Sequence, residues 1–356
     1  MKRLLLSCLF TSLIQMPVMA QELRGFADIH NHQFANLAFG GKIVVGQAYG
    51  PISEALSPSL DRGNHGPEHI RDFLGGLMTE RVCPPSVPVL ELLGAPYSND
   101  GYSSFSGWPN FWEVTHQKVY QDWLFRAVQG GLRLMVMLAV DSPTLCHSAN
   151  NDGRDCDNEM ATIDLQINAA YAMQEYIDQL SGGSGRGWYR IVTTPAEARR
   201  VIRQGKLAVV LGIETAHLFN CKSNAPCDWH NALQKYWRKG VRHFFIIHQD
   251  DTAFGGAAFF QLCVQGQRNW LGTQPWRLIA PYDLTTRPCP QYEFAGGRCN
   301  AAGLTQTGRD LIQELMRLGA IIDVDHMSDR AFAETLDLAE HRGYPVVASH
   351  AGFNEI

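Results

Sequence analysis

Six short apolar runs, each separated from the next by a helical segment, leave this chain few folds to choose from. They fall at 26–30, 132–141, 207–214, 243–248, 320–326 and 345–350. LRLMVMLAVD and LAVVLGIE are apolar at consecutive positions and so have no solvent side. They read as strands covered on both faces, the habit of a parallel sheet. Helical patterns occupy 114–128, 159–180, 231–238, 307–318 and 328–341. Thr194-Pro195-Ala196-Glu197 is a capping box with proline at the first helical position, and that helix stops at Gly205. Gly319 stops the 307–318 helix. Strands alternating with helices imply an α/β fold, and the expected architecture is a (β/α)8 TIM-type barrel of which six strands can be placed. Residues 35–110 are rich in Gly, Pro and Ser and read as a loop-rich insertion over the barrel mouth.

Residues 1–20 differ from the rest. Lys2 and Arg3 precede an apolar stretch, and Val18-Met19-Ala20 is a small-x-small cleavage site before Gln21. This pattern predicts a secretory signal peptide cleaved near Ala20, with 21–356 as one barrel domain, secreted or periplasmic. No other stretch is long and apolar enough to cross a bilayer. Without Cys8, eight of the nine cysteines remain, an even number suited to disulfides in an oxidising compartment. Proximity pairs Cys146 with Cys156, Cys221 with Cys227 and Cys289 with Cys299, leaving Cys83 for Cys263; this is one of 105 connectivities. A zinc cluster at Cys221, Cys227 and His230 is the rival reading, but its spacing is not that of a zinc finger. The formal net charge of −5 and the absence of a basic stripe argue against nucleic acid as a partner.

The chemistry lies at the strand ends. His30, His248, His326 and His350 each close an apolar run, and Glu214 closes another. A (β/α) barrel brings the C-terminal ends of its strands to one mouth. Imidazole nitrogens and a carboxylate converging there are the ligands a zinc-type ion takes. His30 and His32, two apart on a strand, face the same side and can grip one ion, and Asp28 could orient one of them. His30, His32, Glu214, His326 and His350 are therefore the expected metal ligands.

Three segments resemble the membrane (renal) dipeptidase family of zinc peptidases, within the amidohydrolase superfamily. They are Gly212-Ile213-Glu214-Thr215-Ala216-His217, Asp323-Val324-Asp325-His326-Met327-Ser328-Asp329 and Pro345-Val346-Val347-Ala348-Ser349-His350. Gly303-Leu304-Thr305, Gly308-Arg309 and Met316-Arg317-Leu318-Gly319 extend the match, which is best over 303–352 with patches at 26–32 and 206–217. The resemblance implies two divalent ions, Zn2+ being expected. Glu214 would bridge them, His30 and His32 would hold one, and His326 and His350 the other. His248 would polarise the scissile carbonyl, and His217 would sit behind the ligands. The implied substrate is a small dipeptide-like molecule, and a homodimer stays open. Two ions about 3.5–4 Å apart lower the pKa of a shared water to near 7, and His248 would help stabilise the oxyanion. A carboxylate would shuttle a proton to the leaving amine.

Two departures stand out. The family's peptidases usually carry His-x-Asp where this chain has His30-x-His32. The family's later Asp, its acid/base from the eighth strand and an Arg for the substrate carboxylate have no counterpart, since the sequence runs only six residues past His350. A fragment, or a site completed differently, is the expectation, with the strands at 26–30 and 345–350 left as open edges.

Other signals carry less. His65-Gly66-Pro67-Glu68-His69 spells an inverted zinc motif, but Pro67 fits only a first helical turn and leaves His65 outside it. His116, His147, His230, His243 and His341 read as surface residues of loops or helices. Ser349 lacks the context of a nucleophile elbow. Tyr102, Phe105, Trp108 and Trp112 read as the insertion's own small core. A phosphoesterase or lactonase on the same metal barrel, and an inactive fragment or binding module, are the competing functions.

Overall fold

The computed structural model describes residues 22–41, 43–44, 46–56, 117–148, 153–223, 225–258, 286–288 and 298–350. The expected signal peptide, the Cys83–Cys263 and Cys289–Cys299 pairings, His65 to His69, His116 and the aromatic group at 102–112 lie outside the described residues. So does the insertion beyond residue 56; the described part of its start holds two 3-10 turns, Ala35–Leu37 and Phe39–Gly41, and the short helix Ile52–Ala55.

The described core is an α/β parallel sheet curved into a half-barrel. Its strands are β1 (Phe26–Asn31), β2 (Leu132–Asp141), β3 (Tyr189–Ile191), β4 (Leu207–Thr215), β5 (Val241–Phe245) and β6 (Ile321–Asp323). They pair in the order β1-β2-β4-β5-β6, all parallel. The two longest, mostly apolar runs became β2 and β4, which pair through eight consecutive residues from Leu134↔Ala208 to Asp141↔Thr215. Every residue of β4 is buried.

Two features depart from the sequence reading. β3 was not anticipated: at three residues it shows no usable periodicity. It pairs with the start of β4, where Ala208 meets both Leu134 and Arg190. β5 takes up the same edge further along, from Leu211↔Val241. The expected strand at 345–350 is reduced to one parallel bridge, Asp323↔Val347. Val324 N and Val347 N donate to Val347 O and Ile322 O there, so the segment follows β6 without forming a longer ladder.

Apart from the short helices Ile52–Ala55 and Pro143–Ser148, which the sequence did not announce, the helices follow their sequence signals, except that the one expected from 114 begins at Gln121, with 117–120 non-helical. They are α1 (Gln121–Gln129), α2 (Glu159–Leu180), α3 (Pro195–Arg203), α4 (Trp229–Arg238), α5 (Gln306–Leu318) and α6 (Asp329–Arg342). Thr194, Thr305 and Ser328 each accept the backbone N–H three residues on, the bond expected of an N-cap. Glu197 reaches back one residue further than a standard capping box, to Thr193 N and Oγ1. Gly319 ends α5 at φ 77°, a left-handed conformation that costs a side-chain-bearing residue about 1–2 kcal/mol. Cys146 bonds Cys156 and Cys221 bonds Cys227, as proximity suggested; a metal cluster at Cys221 and Cys227 is thereby replaced by a disulfide.

The core holds the strands that end at the rim. Ile163, Ile167, Ala170, Met173 and Ile177 make one buried stripe along α2 and belong to the same apolar cluster as Met135, Met137, Val209, Leu211 and Ile213. Each large apolar side chain buried this way contributes about 1.5–3 kcal/mol. On the other sheet face, Val136, Leu138, Val210 and Phe245 pack with Val201 of α3. Gly212 is required there: an added Cβ would lie 2.6 Å from Leu138 Cδ2.

One buried ion pair pins the loop that returns from α2 to the sheet. Both oxygens of Asp178 accept from Arg190 Nη1 (2.7 and 2.8 Å), and they also accept from Gly187 N and Gly185 N. Burial raises its pKa, but the Arg190 guanidinium and the two amides outweigh that and hold it below the usual value. A depressed pKa stabilises the fold above the unfolded value and ceases to do so as pH falls through the folded one. Asp178→Ala is therefore expected to cost about 2–4 kcal/mol at pH 7. The penalty should shrink in strong acid, as read by urea unfolding at a series of pH values.

Candidate metal centre

The half-barrel places the ends of β1, β4, β5 and β6 along one rim, because parallel strands all finish on the same side. Three layers lie on its concave face. Deepest is a buried pair, His243 of β5 with Asp323 of β6, at 2.8 Å. The sequence reading put His243 on the surface; it is 1% exposed, since its strand alternation turns it inward. Phe245 forms the next layer. Its ring centroid lies 5.7 Å from those of His30 and His350, 6.1 Å from His326 and 6.4 Å from His248.

Above Phe245 the five expected ligands and His248 come together. Glu214 is 2% exposed. Its Oε2 lies 3.2 Å from His30 Nε2 and 3.3 Å from His32 Nε2, and those two nitrogens are 3.1 Å apart. Its Oε1 faces His248 Nε2 at 2.9 Å and His326 Nε2 at 3.6 Å. His326 Nε2 and His350 Nε2 are 2.7 Å apart. Two groups thus share one carboxylate: His30, His32 and Glu214 on one side, and Glu214, His326 and His350 on the other.

Hydrogen bonding shows which way the rings present themselves. His32 Nδ1 lies 3.2 Å from the Leu138 carbonyl oxygen, which can only accept, so the proton is on Nδ1 and a lone pair on Nε2. His350 Nδ1 lies 3.0 Å from Asp325 Oδ2, with the same consequence. Burial lowers the pKa of His32, and burial with the His248 charge takes His326 down to about 3. Burial would raise the Glu214 pKa, but His248 and His32 hold it well below the usual range. The ionised Glu214 carboxylate therefore shares the site with His32 and His326, whose rings burial keeps neutral, whereas burial would lower His350 but the Asp325 carboxylate raises it. Glu214 Oε2 has no hydrogen-bond partner among the described residues, although two nitrogens lie within 3.3 Å of it. Uncompensated lone pairs in a buried site are costly, and a cation at their common focus removes the cost. Ligand atoms about 2.0–2.2 Å from a tetrahedral ion lie about 3.3–3.6 Å from one another, close to the spacing around Oε2. The residues present fit a metal ion.

Not every expected role survived. Asp28 turns its oxygens to His30 N and Asn31 Nδ2 and so braces the backbone rather than an imidazole. His217 pairs at 2.7 Å with the buried Glu159 and faces Asp250 at 3.6 Å; no contact joins it to Glu214. His147, His230 and His341 are exposed, as expected. Asp325 and Ser349 were quoted in motifs without a role, yet both touch the imidazole cluster. Their proximity to His326 and His350 in sequence was the only available signal. His326 itself has φ 66°, a conformation that side-chain-bearing residues adopt at a cost of about 1–3 kcal/mol and mostly at functional sites.

The class defined by this fold and rim is an α/β half-barrel with a histidine-and-carboxylate centre at the C-terminal ends of its strands. The family it resembles is the membrane dipeptidases (peptidase family M19), whose model matches residues 290–356. The chain is similar to the dipeptidase tcpJ of Claviceps purpurea, 24% identical over 155 residues, 44% of this chain and 26% of that protein. An uncharacterized dipeptidase of Schizosaccharomyces pombe is 25% identical over 147 residues, 41% of this chain and 25% of that one. Among solved structures, a metallo peptidase from Rhodobacter sphaeroides liganded with a phosphinate mimic of the dipeptide L-Ala-D-Ala aligns with a TM-score of 0.40 and 17% identity, covering 64% of this chain and 55% of that one. The probable dipeptidase PvdM from Pseudomonas aeruginosa aligns with a TM-score of 0.41 and 18% identity, covering 64% and 45%. The chain thus spans about a quarter of the length of these curated relatives and about half of these solved ones.

Proposed function

We propose that this chain belongs to a secreted hydrolase that cleaves the amide bond of dipeptide-like small molecules at a two-metal centre. The carrying observation is that the two oxygens of Glu214 face separate sets of imidazole nitrogens, Oε2 toward His30 and His32, Oε1 toward His326 and His248. In this reading His30, His32 and Glu214 hold one divalent ion, and Glu214, His326 and His350 the other, Zn2+ suiting the nitrogen-rich donor set. Such ions supply Lewis acidity and an activated water at neutral pH.

The chain's own groups do the rest. Glu214 is held ionised, its position fixed by a fully buried strand. His248 stands beside it with Nδ1 buried and unpartnered among the described residues, and a polarising role for its ring toward a carbonyl oxygen fits that position. The Phe245 floor keeps water from beneath the cluster and lowers the local dielectric, which strengthens each interaction above it. Export is supported by the residue 1–20 pattern and by two disulfides; among the described residues no helix is long and apolar enough to cross a membrane.

The test is a zinc-loaded preparation assayed in parallel on a broad dipeptide panel, phosphodiesters and lactones. Dipeptide hydrolysis that a chelator abolishes and zinc restores is expected. Turnover of phosphodiesters or lactones alone would transfer the site to the other bond class, which His32 in place of the usual aspartate leaves chemically accessible.

A further inference from the structure

We infer that Asp325 and Ser349 form a positioning pair that sets the tautomers of His30 and His350 together, and so couples the two halves of the metal centre. The inference rests on the metal-centre reading and adds a link between its halves. Asp325 Oδ2 accepts the His350 backbone N–H at 2.8 Å and lies 3.0 Å from His350 Nδ1. It also accepts the Ser349 hydroxyl, at a longer 3.5 Å. Ser349 Oγ in turn lies 2.9 Å from His30 Nδ1. Thus one carboxylate touches a ring of the second group directly and a ring of the first through a single hydroxyl.

The proton count follows from what each atom can do. A carboxylate oxygen accepts only, so His350 Nδ1 carries a proton and the Ser349 hydroxyl points its hydrogen at Asp325. With that hydrogen committed, Ser349 Oγ is left to accept, so His30 Nδ1 also carries a proton. In its neutral form each ring then turns a bare Nε2 to the centre, His30 toward Glu214 Oε2 and His350 toward His326 Nε2. If the hydroxyl turned round and donated to His30 Nδ1, the proton of that neutral ring would sit on Nε2 and block coordination. Asp325 is itself fixed from below: its backbone N–H donates to Asp323 Oδ1 at 3.0 Å, and Asp323 Oδ2 meets His243 Nε2. The buried pair under Phe245 therefore anchors the carboxylate that orders the rim. Partners of this kind shift metal affinity about 10–100-fold when removed.

The decisive measurement isolates the first group. In a His326→Ala background, Zn2+ binding by equilibrium dialysis and the absorption spectrum of bound Co2+ report on His30, His32 and Glu214. Adding Ser349→Ala should weaken that site up to about tenfold, and Asp325→Ala should weaken it too, although Asp325 touches neither His30 nor His32. Ser349→Thr keeps the hydroxyl and should restore binding. In the otherwise wild-type chain, Asp325→Ala should loosen the second ion about 10–100-fold, with Asp325→Asn intermediate. Thermal unfolding of the metal-free proteins checks folding; should Asp325→Ala not fold, Ser349→Ala and its threonine rescue decide alone. Unchanged affinity at the first group in both variants would overturn the coupling while leaving the metal centre intact. A wild-type chain that binds no Zn2+ would sink the metal centre and the coupling together.

Discussion

Glu214→Gln is expected to weaken zinc binding by more than about a hundredfold and to reduce dipeptide hydrolysis to background. Removing a partner that only orients a ligand already costs 10–100-fold, and Glu214 is the one side chain common to both groups. Glutamine keeps the shape but offers one acceptor oxygen and points two N–H hydrogens where the other oxygen stood. One half of the centre loses its anionic donor and the other loses its charge. In the metal-free protein His248 and His32 hold Glu214 ionised against the penalty of burial, so its loss also removes stabilising contacts, and breaking a buried pair costs up to about 3–5 kcal/mol. Metal-free Glu214→Gln should therefore unfold at a lower temperature than its parent while remaining folded at assay temperature, and zinc content is the deciding measurement. Unchanged zinc content would refute the ligand role.

His248→Ala should behave differently, and the contrast is informative. Its ring is 6% exposed, and its Nε2 reaches Glu214 Oε1 at 2.9 Å, yet neither metal-ligand group includes it. The variant is expected to retain zinc and to lose about 10²–10³ in kcat, the usual cost of deleting one preorganised donor at a developing oxyanion. KM should change much less, because such an interaction strengthens in the transition state rather than on binding. Steady-state kinetics on a dipeptide with parallel metal analysis would show it. Loss of zinc in proportion to activity would instead make His248 a ligand.

The site was legible to the extent that strand ends are. The apolar runs at β2 and β4 announce their own burial, and in a parallel sheet burial sets direction. Once Glu214 and His30 are known to close such runs, their convergence follows without coordinates. His326 and His350 were found by the same reasoning, although the ladder stops at Asp323 and the last run contributes one bridge. There the histidines reach the rim through tight turns, His326 at φ 66°, and the run lengths overstate the strands.

What stayed hidden depends on contacts between distant residues. β3 is three residues long, too short for a periodic signal. His243 looked like a surface residue because inward and outward positions of a strand cannot be told apart until its neighbours are placed. Asp323 and Phe245 then define its side.

Hydrophobic order and helix caps, which are properties of neighbouring residues, determined from the sequence alone that this is an α/β chain with histidines and a carboxylate at strand ends. Which ring nitrogen faces the common focus, and that Asp325 and Ser349 tie the two groups, was decided only by the tertiary structure. A tautomer is set by the partner of the opposite nitrogen, and here those partners, Leu138 for His32 and Ser349 for His30, are 106 and 319 residues away in the chain.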